Sequence, residues 1–194
     1  MVSASVFAEN ALLPKWDKYK YTDLDCQAFV EAVLKDIGVR KKNGEVYNWR
    51  GSNSMYRNCY VWRGTVAEAV KKFGSVPLGA FVYIWKPDGA EEVGYTDGLG
   101  NCSHVGIYCG NGIVRDSTRS TKTGRNGVGS RPLSDFNRVT LFEGLDYDKN
   151  ISYNDRVTGL LESINTIREE LKRMEVTIYD ITGSKGTTES GIQS

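Results

Sequence analysis

The pair Asn111-Gly112 lies between two β-prone runs, His104 to Tyr108 and Ile113 to Asp116, and constrains the fold more than any other feature. Both central positions of a two-residue hairpin turn favour positive φ, which Asn and Gly tolerate, so the runs should pair antiparallel. Ala80 to Trp85 reads as another strand, and Val139 to Phe142 as a further one. The first half follows a different grammar. Ala4, Phe7, Ala8, Ala11 and Leu12 recur at helical spacing until Pro14 ends the pattern. Cys26, Phe29, Val30, Val33, Leu34 and Ile37 fall on one face of a second helix, capped by Asp23 or Asp25 and stopped by Gly38. Thr65 precedes a third helical run, VAEAVKKF, closed by Gly74. Helices first and strands afterwards indicate an α+β domain.

Two polar stretches interrupt this pattern. Residues 39–63, rich in Gly, Asn and Arg, read as an irregular connection. Residues 117–131, STRSTKTGRNGVGSR, read as a polar loop, either simply solvated or in contact with an anionic polymer.

From residue 157 a heptad repeat sets in. Val157, Ile164, Leu171 and Ile178 occupy one seam position, and Leu160, Ile167 and Met174 the other. Such a seam suits a coiled coil, and Ile at both positions of the middle heptad favours three strands over two. The same stripe could instead pack on its own domain. The tail beyond Ile181, TGSKGTTESGIQS, carries no apolar pattern and is expected to be disordered. The division expected is a domain over 1–150, a helical segment over 151–181 and a tail over 182–194.

Composition mainly excludes. The 25 basic and 24 acidic side chains nearly cancel, so no general field draws nucleic acid or membrane. No apolar stretch approaches the roughly 18–20 residues of a membrane span. The opening MVSASVFAENALLPK lacks the basic start and long apolar core of a secretory signal. The four cysteines, Cys26, Cys59, Cys102 and Cys109, form no C-x-x-C pair and no disulfide framework. A zinc site would need Cys102, His104, Cys109 and a distant fourth ligand, an irregular spacing.

The chemistry-bearing residues are few. Cys26 opens the second helix, where unpaired N–H groups and partial positive charge stabilise a thiolate, although a cysteine there can also be a small core residue. A thiol nucleophile needs a base, and the chain has a single histidine, His104. Asp116 follows twelve positions later, across the hairpin. Paired side chains on one hairpin face lie about 5 Å apart, so a carboxylate there can fix the imidazole tautomer and stabilise the imidazolium.

These segments resemble a known family. Asp25-Cys26-Gln27-Ala28-Phe29-Val30 is similar to the D-C-S-G-F-V motif of NlpC-type peptidases, papain-like enzymes that cut peptidoglycan stems. His104-Val105-Gly106-Ile107-Tyr108-Cys109-Gly110-Asn111-Gly112 resembles their H-V-G-I-Y-x-G-x-G strand and turn, and Leu78-Gly79-Ala80-Phe81-Val82-Tyr83 their G-D-L-V-F strand. Order and spacing agree over about residues 1–145. The chain departs from the pattern at Thr22 and Asp23, which stand for two glycines, at Gln27-Ala28 for Ser-Gly, and at Ala80 for Asp.

The resemblance implies a papain-like domain with Cys26 as nucleophile, His104 as base and Asp116 in the third polar position. It implies Tyr19, Asp25 and Gln27 as residues lining the substrate site, and stem peptides as the substrate. It calls for no metal or organic cofactor. The expected activity is a cysteine endopeptidase working through a thioester at the cell wall. The site of action would lie outside the membrane, reached by lysis, a virion or a non-standard secretion route. Alternatives are an amidase cutting between glycan and peptide, or a non-catalytic wall-binding or virion module with a relic site. The heptads imply a homo-oligomer through 157–178.

Overall fold

The computed structural model describes residues 1–89, 95–121, 123–147 and 164–172. The chain divides into two units, Met1–Ser152 and Tyr153–Ser194. The first is mixed α+β. It begins with β1 (Val2–Ser3), α1 (Ala4–Ala11), α2 (Cys26–Asp36) and α3 (Ser52–Asn58). After β2 (Trp62–Thr65) and α4 (Val66–Phe73) come β3 (Phe81–Lys86), β4 (Asn101–Tyr108), β5 (Ile113–Arg119) and β6 (Asn126–Pro132). Strands β7 (Arg138–Leu141) and β8 (Leu145–Asp146) complete the unit. Six strands form an antiparallel sheet in the order β2-β7-β3-β4-β5-β6, while β1 and β8 pair in parallel.

Period-two alternation along the strands builds two cores. Phe81 and Tyr83 of β3 and Val105 and Ile107 of β4 join Phe7 of α1 and Phe29, Val30, Val33 and Leu34 of α2. Ala80, Val82, Val114 and Val139 pack instead with Ala69 of α4. Full burial of a side chain of this size contributes about 1.5–3 kcal/mol, so the alternation fixes the register. Helix ends follow the expected chemistry. The Asp25 side chain caps α2, and Thr65 and Glu68 form a reciprocal capping box at the start of α4. At the β4–β5 turn Asn111 and Gly112 take φ of 51° and 70°.

Two expectations need correction. The stretch 39–63 is not wholly irregular, because it contains α3 and the first half of β2. The sequence of α3, SNSMYRN, has little helical signal, and burial of Met55 and Tyr56 is what holds it. The stretch 117–131 is not one loop either. Strand β5 continues to Arg119, and β6 pairs with it from Arg119↔Asn126 to Ile113↔Pro132. Strand β6 closes one edge of the sheet, where a polar, glycine-containing strand is permitted and leaves no apolar alternation to read.

In the second unit residues 164–172 form a helix, α5, with Ile164, Ile167 and Leu171 exposed and Glu169 paired to Lys172 at 2.9 Å. The remaining heptad positions and the tail 182–194 lie outside the described residues. Among the described residues no helix is long and apolar enough to cross a membrane.

Candidate active site

Helix α2 presents its first residue, Cys26, to the sheet. The Asp25 carboxylate accepts from the Ala28 N–H at 2.8 Å, which fixes the first turn. Ahead of the helix the Leu24 carbonyl accepts from the Ser117 hydroxyl of β5, joining the approach to Cys26 directly to the strand that carries Asp116. Behind it, Phe29, Val30, Val33 and Leu34 anchor the helix in the core. Cys26 is 7% exposed.

His104 lies on β4 and Asp116 on β5. The β4–β5 register, continued by one residue from Ile107↔Arg115, puts Asp116 opposite Gly106 and diagonal to His104. Glycine is needed at 106. A Cβ there would lie 2.5 Å from Val114 Cγ1 and 3.2 Å from Asp116 Cβ. With that space free, Asp116 Oδ2 approaches His104 Nε2 to 2.6 Å. The Cys26 thiol shares a hydrogen bond with the same ring. Sulfur, imidazole and carboxylate thus form one chain across three elements.

The Asp116 carboxylate is wholly buried and held from several sides. Arg125 donates to Oδ1, and Arg131 approaches Oδ2 at 3.5 Å. Burial of His104 disfavours its charged form. Hydrogen bonds to Asp116 and Cys26, with the negative charge on both, outweigh that and raise the ring to about 9. The ring is therefore cationic at neutral pH. Tyr21 completes the surround, its hydroxyl hydrogen-bonded to Cys26. Burial, the charges of Cys26 and Asp25, and that bond push Tyr21 up to about 12, so it stays a donor throughout the physiological range.

Of the residues singled out from sequence, Cys26, His104 and Asp116 come together. The other three have different occupations. Tyr19 packs on Trp16, with ring centroids 6.1 Å apart, and its carbonyl accepts from the Val128 N–H at 3.2 Å. That close approach needs glycine at 127, where any Cβ would collide with the Tyr19 carbonyl. The tyrosine at the sulfur is Tyr21. Asp25 serves as the cap. The Gln27 amide is engaged by Glu31, the Trp49 carbonyl and the Gly51 N–H, which tethers 49–51 to α2. Gln27 therefore acts on a loop, not as a free ligand for substrate.

Sequence reasoning missed Tyr21, Ser117, Arg125 and Arg131. The basic character of 117–131 was the one available signal for the arginines, and it did not reveal their target. Among the described residues no group of three or more His, Cys, Asp or Glu side chains is arranged to hold a metal ion. No family model, curated protein or solved structure matches the chain.

Proposed function

We propose that this protein is a cysteine hydrolase of the papain-like NlpC kind, an endopeptidase that cuts amide bonds in peptidoglycan stem peptides. The observation that carries the reading is the succession Cys26–His104–Asp116, in which the carboxylate meets Nε2 of the only histidine at 2.6 Å and the hydrogen bond and charge of Cys26 act on the same ring. The motifs around Cys26 and His104 supply the substrate class.

The Cys26 thiolate attacks the amide carbonyl carbon, and the oxygen takes the negative charge. The first-turn N–H groups of α2, including that of Cys26, are the donors suited to that oxygen, and one well-placed donor lowers the barrier by about 3–4 kcal/mol. When the intermediate collapses the C–N bond breaks, and the His104 imidazolium gives its proton to the leaving amine. A thioester to Cys26 remains. Water then attacks the thioester carbon and yields its proton to the now neutral His104. The carboxylic acid product leaves, and sulfur and ring regain the starting ion pair. Asp116 keeps the ring oriented and stabilises its charged form.

The heptad stripe supports self-association as a trimeric coiled coil through 157–178. Action at the wall, outside the membrane, follows from the substrate.

Digestion of purified walls with the wild-type chain and with Cys26→Ala tests the activity, with mass spectrometry of the soluble fragments. The wild type should release fragments with new peptide termini, and the variant none while remaining folded. Release of free, intact stem peptides would redirect the reading to an amidase. Equal digestion by both would end it.

A further inference from the structure

A cleft of about 790 Å³ opens beside strands β5 and β6, lined in part by the two arginines that reach Asp116. Among the described residues its lining includes Arg119, Arg125 and Arg131 and one carboxylate, Asp135. The three arginines differ in how far they are used. Arg125 holds Asp116 and the Ser130 carbonyl, but its Nε is buried without a hydrogen-bond partner. Arg131 divides itself between Asp135 at 3.0 Å and Asp116 at 3.5 Å. Arg119 is exposed at the end of β5; its backbone pairs with Asn126, but its side chain makes no hydrogen bond or ion pair among the described residues. Hydroxyls of Thr118, Ser120 and Thr121 share the wall.

We propose that this cleft is a binding site for an oxyanion group, phosphate or carboxylate, carried on a molecule larger than the ion itself. Three considerations converge on that ligand. Guanidinium groups outnumber carboxylates on the walls, so the cleft attracts negative charge. The planar guanidinium fork matches an oxyanion, and surrounding hydroxyls add neutral donors. The volume is that of a pocket for a small organic molecule and exceeds what a bare ion fills. Arg119 is the cation whose side chain no other described residue holds, and Arg125 and Arg131 are the groups through which binding reaches Asp116. This inference does not depend on Cys26 being a nucleophile, because the cleft and its cations exist whatever the sulfur does.

Occupancy should be felt at His104. The charged and titratable groups facing that ring are Cys26 from α2 and Asp116 from β5, with Arg125 and Arg131 behind the carboxylate. A bound anion adds negative charge and competes for both guanidiniums, which leaves Asp116 less compensated. Each effect favours the imidazolium, so the ring should titrate at higher pH when the cleft is filled.

The test is an NMR titration of the full chain with inorganic phosphate and, separately, with glutarate, both at constant ionic strength against chloride. The expected result is saturable shifts of the Ser120, Thr123 and Ser130 amides with at least one probe. Affinity should drop about tenfold or more in Arg119→Ala, an exposed change that leaves the fold intact. The single His104 resonance should titrate at higher pH in the bound form. Saturation by phosphate alone or glutarate alone identifies the class of group. The assignment is overturned by a failure of both probes to saturate, or by unchanged affinity in Arg119→Ala. A His104 titration that stays put at saturation overturns it equally.

Discussion

Cys26 and the other three thiols, Cys59, Cys102 and Cys109, are all buried, but their surroundings differ in kind. Among the described residues only Cys26 meets an imidazole. Burial dominates the other three and pushes each up to about 12. The Trp49 indole N–H donates to Cys59, and guanidinium groups lie near Cys102 and Cys109, yet none of these offsets the loss of water. Burial alone therefore makes a thiol inert. What distinguishes Cys26 is a proton acceptor in contact, held by a buried carboxylate that is itself clamped by Arg125 and Arg131. The lesson is that reactivity here belongs to a neighbour and to that neighbour's support.

The contrast breaks most sharply under substitution. Cys26→Ala and His104→Ala should each lower wall cleavage by about 10⁴-fold or more, as groups that act as a unit do. Asp116→Asn should cost slightly less in turnover but more in stability, about 3–5 kcal/mol, because Arg125 and Arg131 lose a buried counter-charge. Denaturant melts beside rate measurements check both.

Alkylation comes next. Iodoacetamide at neutral pH should label Cys26 about 100-fold faster than the other three thiols, and His104→Ala should erase the lead. Peptide mapping by mass spectrometry reads the site. Equal labelling in the wild type would remove the distinction drawn above.

The pH dependence sharpens the role of the ring. His104 is raised from 6.5 to about 9, so its imidazolium is present through neutral pH and lost above. Turnover should fall as pH rises through about 9. The same shift contributes folding stability that is fully present below about 6.5 and is lost as pH rises through about 9. Rate profiles and melts across that window should turn together.

Gly106→Ala is a milder insult. The added methyl must displace Val114 and crowd Asp116, so turnover should fall about tenfold with roughly 1–3 kcal/mol of stability. Cys102→Ala should have the smallest effect, about 1–2 kcal/mol in a melt and no change in turnover, since that thiol only fills core space. A large loss of activity there would blur the contrast between the thiols.

Much of this architecture was legible because it rests on local signals. Apolar spacing, the Asp25 cap, Thr65 ahead of its helical run and the Asn111-Gly112 turn each act within a few residues, and α1, α2, α4 and the strands β3, β4, β5 and β7 follow from them. The meeting of Cys26, His104 and Asp116 was legible because the hairpin brings Asp116 near the ring and the chain offers a single histidine. The tertiary assignments were not. Nothing local says that Gln27 ties down 49–51, or that Tyr21, not Tyr19, turns its hydroxyl to the sulfur. Strand β6 was missed because an edge strand needs no apolar alternation, and with it went the arginines that grip Asp116. The seam over 157–178 was read from its repeat, but only 164–172 falls within the described residues.

The proposed mechanism rests on a proton shared between Cys26 and His104. The lone histidine makes this directly measurable by following its ring carbons by NMR across pH in the wild type and in Cys26→Ala. The prediction is a wild-type midpoint near 9 that falls when the sulfur is removed, because one of the two partners favouring the imidazolium is gone. Midpoints that coincide, both near the ordinary 6.5, would contradict it.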